Sequence, residues 1–402
     1  MEVQIISKEI VKPSISTPQH LRTYNLSLLD QLAPPVYVPI ILFYSANGEN
    51  SYSFSVDCND EDAPFIEAQV AGEMSMILED PDINELEKLL PCNPHDVSHE
   101  ISPRVIVAAQ VNYFDCGGMA VSVCIWHAIA DASAVASFLT SWDAIACGGS
   151  DDIKGEIFDC TSLFPPQDIL NFSLLNFFKE DLLSKIMMKR FLFDSSKLAA
   201  LREEIGNRPC LDRPTRFEAV AALIWGAVMA TTGEENKNEN QTETAEINAA
   251  TIAVDLRKRM IPQLPKLSIG NINQVAMANC SKNDEKMLDY NGLAGKLHES
   301  IGKINNEYVR KVHAGGTYFQ FLRKRSEELG KNPNLIKVFG FSSWCRFSFY
   351  EVDFGWGKPT WVGTALRLYK GIEAWVSLPK EDTVKFEQNP GICACSSFKP
   401  ST

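Results

Sequence analysis

The stretch that decides the fold is MAVSVCIWHAIADASAVASFLTSWDAIA, residues Met119–Ala146. Ala120 to His127 is an almost continuous apolar run, which is typical of a buried strand, and from Asp131 onward the apolar residues recur at helical spacing. Asp131 stands where a helix N-cap is expected, because a carboxylate there accepts hydrogen bonds from the first free backbone N–H groups. The pattern predicts a strand, a turn that begins at His127, and a helix.

The chain before this stretch supplies further elements. Arg104 to Cys116 is a second apolar run, and Gly117 and Gly118 turn it directly into the opening stretch. Further upstream, Val38 to Tyr44 has the length and composition of a strand. Two acidic segments, Asp62 to Ala71 and Ile83 to Leu90, are predicted as helices. On the helix after Asp131, one apolar face is expected from Val135, Phe138, Leu139, Trp142 and Ile145.

Composition narrows the classes of function. The chain has 402 residues, 45% of them apolar, and a net charge of -13. Such a charge disfavours binding to nucleic acid or to an anionic membrane surface, since both need a basic face. No apolar run approaches the ~20 residues that span a bilayer, and the N-terminus lacks a signal-peptide core. We therefore expect a cytoplasmic protein, a monomer by default, with a small-molecule partner.

The cysteines do not indicate a disulfide framework or a metal site. There are 11 of them, scattered along the chain, and the close pair Cys393 and Cys395 has no second pair at metal-ligand spacing. We expect buried thiols and no metal cofactor.

A chain of this length is long enough for two cores. Gly206 to Pro214 holds glycine, two prolines and charged residues, a composition typical of a crossover between domains. It predicts an N-terminal domain over 1–205, a crossover over 206–214, and a C-terminal domain over 215–402. Strands and helices intermix without strict alternation, which favours mixed sheets covered by helices.

His127 has three interpretations from the residues alone. It could be a core histidine that donates to a backbone carbonyl. A metal ligand is disfavoured because no second histidine lies within a helical turn, and His95 and His99 fall in a proline-flanked loop. A general base remains, because a neutral imidazole near physiological pH can take a proton from an alcohol and return it later.

The C-terminal half contains Asp353-Phe354-Gly355-Trp356-Gly357. Together with His127-x-x-x-Asp131, this segment resembles the two signatures, HxxxD and DFGWG, of the plant acyl-CoA-dependent acyltransferases called the BAHD family. Further landmarks in the expected order cover nearly the whole chain: Tyr24 to Asp30, Val111 to Gly118, Pro214 to Ala219, and Gly270-Asn271. Within the family the chain is most similar to the alkaloid O-acetyltransferases.

The resemblance implies an α/β fold of the α+β type that is chloramphenicol-acetyltransferase-like. It has two similar-sized domains, each a mixed β-sheet with flanking helices, and a solvent channel between them. The implied activity is transfer of an acetyl group from acetyl-CoA to a hydroxyl of a small-molecule acceptor, a plant specialised metabolite such as a monoterpenoid indole alkaloid. No covalent acyl-enzyme is expected.

The resemblance also assigns roles to residues. His127 is the general base, Ser342 and Trp344 line the oxyanion position, and Asp131 pairs with Arg257 to fix the loop that carries the histidine. The motif residues have a structural role remote from the chemistry: Asp353, Phe354, Gly355, Trp356 and Gly357.

The sequence departs from the family pattern at two places. Ala132 follows the aspartate where glycine is usual, and it suits the first position of a helix. Between Tyr44 and the segment that ends at Cys58, family members carry a helix, and this chain is shorter by roughly thirty residues, with a hairpin predicted around Asn47-Gly48 near 45–52. The shortening leaves two alternatives to the acetyltransferase: a non-catalytic, acyltransferase-like ligand-binding protein, or an esterase that uses the same base with water.

Overall fold

The computed structural model of the chain divides into two compact units. It describes residues 1–13, 19, 23–45, 58–95, 105–149, 160–169, 186–233, 247–265, 267–281, 284, 289–331, 336–364 and 373–397. The first unit comprises residues 1–166, 264–272 and 347–366, and the second comprises 167–263, 273–346 and 367–402. The first unit is therefore assembled from three separate chain segments.

A six-stranded sheet runs through the described residues of the first unit. One neighbouring pair of its strands, paired over residues 65–70 and 109–114, is parallel, and the other neighbours are antiparallel. In sheet order the strands are β1 (Glu2–Pro13), β3 (Cys58–Ala71), β4 (Val107–Phe114), β5 (Met119–Trp126), β2 (Tyr37–Tyr44) and β10 (Trp361–Gly363).

The predicted apolar runs form the centre of this sheet. Every residue of β5 is buried, as is every residue of β2 after Tyr37. Tyr37 pairs with Trp126 at one end of these two strands, and Tyr44 pairs with Met119 at the other. A strand buried on both faces needs a continuous apolar sequence, which explains why composition alone identified β2, β4 and β5.

The segment from Asp62 to Ala71 was predicted as a helix, and this prediction was wrong. It belongs to β3, which pairs with β1 on one side and with β4 on the other. Ile66, Ala68 and Val70 are buried at every second position. That period of two is the strand pattern, and the acidic composition of the segment obscured it.

The first unit also contains α1 (Leu28–Gln31), α2 (Met74–Glu79), α3 (Ile83–Glu87) and α4 (Ala132–Ala146). The predictions of α3 and α4 are confirmed, but the apolar face of α4 is narrower than expected. Val135 and Leu139 are fully buried, whereas Phe138 is 40% exposed and Ile145 is 56% exposed. Ala134 and Ala136 are buried on this helix instead. The spacing of the large apolar residues therefore overestimated the width of the buried face.

Two small sheets lie among the described residues of the second unit. In one, β7 (Ile247–Asp255) lies between antiparallel β8 (Asn273–Ser281) and parallel β9 (Ile336–Phe341). In the other, β6 (Ile186–Leu192) pairs with β11 (Glu373–Pro379). The helices are α5 (Ser195–Ile205), α6 (Arg216–Gly233), α7 (Tyr290–Lys303), α8 (Asn306–His313), α9 (Thr317–Lys331), α10 (Lys380–Glu387) and α11 (Pro390–Cys395). Both units are thus mixed α/β.

The division into units differs from the predicted domains. Residues 206–214, predicted as the crossover, lie inside the second unit between α5 and α6, and the motif at 353–357 belongs to the first unit together with His127. Glycine and proline mark a tight turn as readily as a linker, and here the backbone of Asn207 donates to that of Asp212 within such a turn.

The hairpin and shortened connection predicted near 45–52 lie outside the described residues, apart from Ser45.

His313 at the end of α8 makes the second unit sensitive to acid. Its ring is buried, lies 3.0 Å from Oε1 of Gln274 through Nε2, and packs against Tyr318. Burial lowers the pKa of His313 to about 4. In the unfolded chain the pKa of histidine is near 6.5, so full stability is present above that pH and is lost as the pH falls toward 4.

We predict that His313→Gln removes this pH dependence. The native protein should lose up to about 3 kcal/mol of stability relative to the variant between neutral pH and pH 4. Urea unfolding followed by circular dichroism at several pH values measures the difference. His298→Gln, at a ring that is 59% exposed, is the control. Parallel pH curves for the native protein and His313→Gln would contradict the prediction.

Candidate active site

His127 stands at the point where strand β5 ends. It begins a 3-10 turn, His127–Ile129, and its side chain is half-buried. The backbone N–H of His127 donates to the carbonyl of Val36 at 2.9 Å, which extends the pairing of β5 with β2 by one residue. The histidine is therefore held by the most buried part of the sheet, and the residue is itself only half-buried.

Asp131 is the N-cap of α4, as the sequence predicted. Its Oδ1 accepts from the backbone N–H of Ala134 at 3.0 Å. Its Oδ2 accepts from the backbone N–H of Ile272 at 3.0 Å, and the residue is only 6% exposed. One carboxylate thus fixes the start of α4 and also a segment that lies far along the chain.

That segment, residues 270–272, lies alongside the turn that carries His127. The backbone of Gly270 donates to Ile129 at 3.0 Å and accepts from Asp131 at 3.4 Å. The side-chain amide of Asn271 donates to the carbonyl of His127 at 2.7 Å. Residues 127–131 are therefore held from both ends, by β2 and by 270–272.

Asp30 anchors the segment in turn. Its Oδ1 accepts from the backbone N–H of Asn271 at 2.6 Å and from the side chain of Asn271 at 3.1 Å. Asp30 and Asn271 both lie in segments that resemble the family, Tyr24 to Asp30 and Gly270-Asn271. Nothing in the sequence pairs two residues so far apart, so only the structure brings them together.

The three remaining predicted site residues belong to the second unit. Arg257 is 5% exposed, and its Nη1 lies 3.0 Å from Oδ1 of Asp255. Ser342 and Trp344 follow β9 in an extended segment and are half-buried. The pairing of Arg257 with Asp131 and the oxyanion role of Ser342 and Trp344 stay predictions.

The segment 353–357 forms a turn that packs against α4. Oδ1 of Asp353 accepts from the backbone N–H groups of Gly355 at 3.0 Å and of Gly357 at 2.7 Å. Phe354 has a φ angle of 54°, which is unusual for a residue with a side chain. Its backbone N–H donates to Oδ1 of Asp143 on α4 at 2.8 Å, and this bond holds the strained residue in place.

Aromatic packing completes the contact between the motif and the sheet. The Phe354 ring lies 5.0 Å from that of Trp142 and 6.4 Å from that of Tyr44. Burial, with smaller contributions from the Asp143 and Asp353 carboxylates, raises the pKa of the Tyr44 hydroxyl. The hydroxyl therefore stays protonated and donates to the carbonyl of Val352 at 3.2 Å. These contacts connect the motif to α4 and β2.

A neutral imidazole such as that of His127 is a group that can accept a proton and return it. Among the described residues no three His, Cys, Asp or Glu side chains converge as a metal-binding group. Within the same part of the chain no helix is long and apolar enough to cross a membrane.

Comparison with known proteins identifies the class. Limonoid 1-O-acetyltransferase of Citrus sinensis is 40% identical over 453 residues, and the alignment covers 100% of both chains. Stemmadenine O-acetyltransferase of Catharanthus roseus is 34% identical, with 95% of each chain covered. The crystal structure of vinorine synthase superposes with a TM-score of 0.79 at 26% identity, covering 99% of each chain. The protein is an acyl-CoA-dependent O-acyltransferase with a chloramphenicol-acetyltransferase-like fold.

A family model described as the Transferase family matches residues 1–54 and 48–392. The chain belongs to this family, the BAHD acyltransferases. The two matched segments meet at residues 48–54, the place where the sequence predicts a shortened connection.

Asp131→Ala should destabilise the first unit because two backbone donors, on Ala134 and Ile272, lose their acceptor. We expect a loss of about 2–3 kcal/mol, from the helix cap and from the buried N–H of Ile272 together. Urea unfolding measures it. Asp194→Ala removes the cap of α5, where the carboxylate accepts from Lys197 at 2.8 Å, and serves as the control. Equal effects of the two substitutions would show that the bond to Ile272 contributes nothing.

Asp143→Ala should lower stability by about 1 kcal/mol, because the strained backbone at Phe354 loses its hydrogen-bond acceptor. Asp143→Asn keeps an oxygen in the same place and should retain most of the native stability. Differential scanning calorimetry of both variants checks the expectation. A thermal midpoint that falls equally in both would mean that charge, rather than the bond to Phe354, matters at this position.

Proposed function

We propose that the protein transfers an acetyl group from acetyl-CoA to a hydroxyl of a specialised metabolite, with His127 as the general base. The observation that carries the proposal is the placement of His127, whose backbone is fixed on both sides while the residue is only half-buried. Two relatives that match over nearly their whole length, limonoid 1-O-acetyltransferase and stemmadenine O-acetyltransferase, support acetyl as the transferred group.

The proposed reaction has two proton transfers. The imidazole of His127 takes the proton of the acceptor hydroxyl as its oxygen attacks the thioester carbonyl. The tetrahedral oxyanion then collapses, the carbon–sulfur bond breaks, and the CoA thiolate receives the proton from the imidazolium. No covalent acyl-enzyme forms. A positioned base contributes roughly 10²–10⁴ in rate.

Ser342 and Trp344 are the proposed donors to the oxyanion. A hydroxyl and an indole N–H can both donate to a developing negative charge. Removing one such donor elsewhere costs about 10²–10³ in kcat. Arg257 is proposed to support the loop through Asp131, a structural contribution rather than a chemical one. Location in the cytoplasm and a monomeric state also stay proposals.

The acceptor is proposed to be a polycyclic alcohol of the terpenoid type. The limonoid acetyltransferase is more similar to this chain than the stemmadenine acetyltransferase, at 40% against 34% identity over similar coverage. A monoterpenoid indole alkaloid, the acceptor that the sequence favoured, is the second candidate, supported by the stemmadenine enzyme and by the vinorine synthase fold. A panel that contains both classes of alcohol discriminates between them.

A second candidate function is ligand binding without turnover. It is favoured by the shortened connection that the sequence predicts near residues 45–52. Loss of a helix would expose apolar surface at a cost of ~25 cal/mol per Å². Calorimetric binding of acetyl-CoA with no product from any acceptor would favour this candidate, and hydrolysis of an acetylated acceptor without CoA would indicate an esterase.

His127→Ala is the direct test of the proposed chemistry. We expect kcat to fall by roughly 10²–10⁴ with little change in KM for acetyl-CoA, because only proton transfer is lost. Product formation is followed by liquid chromatography and mass spectrometry. His298→Ala, at an exposed histidine on α7, is the matched control and should retain native kcat. Activity in His127→Ala equal to that of the native protein would eliminate His127 as the base.

A further inference from the structure

We propose that Asn271 is a positioning residue for acyl transfer, and that Asp30 holds Asn271 in place so that His127 keeps one orientation. The inference rests on the proposed function in taking His127 as the base. Asn271 and Asp30 do not touch the reacting atoms, and they act on His127 through the backbone of the turn at 127–131.

The contacts of Asn271 are directional. Its Nδ2 has two protons, and there is one acceptor for each: the carbonyl of His127 at 2.7 Å and Oδ1 of Asp30 at 3.1 Å. Asn271 is 3% exposed, so water does not compete for either proton. An amide with both protons engaged has one rotamer, and the His127 carbonyl is therefore held at a fixed place.

Several hydrogen bonds hold the Asp30 carboxylate in one position. It is 1% exposed, and it forms a capping box with Ser27 at the start of α1, accepting from the Ser27 N–H at 3.0 Å and from its hydroxyl at 2.8 Å. With the two bonds from Asn271 and one from the Tyr24 hydroxyl at 3.4 Å, five donors point at one buried carboxylate. Hydrogen bonds of this number satisfy a buried carboxylate, and each is stronger for having a charged acceptor.

The close approach of the two segments depends on Gly270. Its φ angle is +104°, in the region that favours glycine, and a Cβ there would lie 2.7 Å from the Tyr24 hydroxyl and 3.1 Å from Oδ1 of Asp30. Any side chain at this position would push residues 270–272 away from α1. Gly270 thus allows residues 270–272 to lie close enough to α1 for Asn271 to bond to Asp30.

The chain of bonds ends on the residue that does the chemistry. Asp30 polarises the Asn271 amide, which polarises the peptide group that follows His127, and such chains strengthen each bond in them. The direction of the His127 ring follows from its backbone, because the first side-chain torsion is measured from it. A base displaced by about 1 Å loses about 10²-fold in rate, so holding the backbone has a kinetic effect.

Asn271→Ala removes the side-chain bonds but keeps the backbone N–H that donates to Asp30. We expect kcat to fall by about tenfold or more while KM for acetyl-CoA stays within about twofold. The matched control is Asn291→Ala in the second unit, another amide that is 3% exposed and donates to two backbone carbonyls, at 2.7 Å and 2.8 Å. It should lose similar thermal stability and keep native kcat. Equal kcat losses in both variants would overturn the inference.

Asn271→Asp keeps the shape and puts a second carboxylate beside Asp30. Two buried like charges raise the pKa of the pair, and the protonated form regains a donor toward His127. The ratio of variant kcat to native kcat should therefore rise by about threefold or more from about pH 8 to about pH 5.5. A ratio that does not change with pH would overturn the inference.

Modification of His127 by diethyl pyrocarbonate gives a readout that needs no acceptor. Measured by peptide mass spectrometry against exposed His298, the rate at His127 should rise by about threefold in Asn271→Ala and stay native in Asn291→Ala. An unchanged rate at His127 would overturn the positioning role. Failure of the proposed function looks different: His127→Ala would then be as active as the native protein, whatever the Asn271 variants show.

Discussion

The turn between β5 and α4 depends on hydrogen bonds from residues 270–272, a segment that folds back into the first unit. Buried backbone groups need partners, and a turn that must present a side chain cannot satisfy them by regular pairing. Asn271 and Ile272 supply the donors, while Asp131 and the carbonyl of His127 supply the acceptors. The turn that carries His127 is therefore held by residues that lie far from it in the sequence.

Hydrogen bonds to α4 also explain why the motif at residues 127–131 and the motif at residues 353–357 occur together. Asp131 begins α4, and Asp143 near its other end accepts the backbone N–H of Phe354. After the motif, β10 pairs with β2, the strand next to β5 in the sheet. Helix α4 is thus connected at its start to the turn of His127 and near its end to residues 353–357. Both motifs therefore contact α4, the first at its start and the second near its end, and these contacts agree with a structural role for Asp353.

Asp30 shows how a buried charge can serve orientation rather than stability. Five donors, from Ser27, Asn271 and Tyr24, surround its carboxylate. Replacing such a network by apolar side chains of the same volume could cost little stability, as buried polar groups often do not stabilise a fold. An apolar replacement would not fix the direction of the His127 carbonyl. The proposed positioning role gives a physical reason for a buried carboxylate at this place.

The sequence by itself determined the central strands, the start of α4, and the candidate base. Continuous apolar runs gave β2, β4 and β5, and the change of period at Asp131 gave the helix cap, because these are properties of neighbouring residues. It predicted a wrong element at Asp62 to Ala71, where acidic residues hid a period of two. Only the tertiary structure decided that Asp30, Asn271 and Ile272 hold the turn of His127, since hydrogen bonds between residues far apart in the chain leave no local pattern.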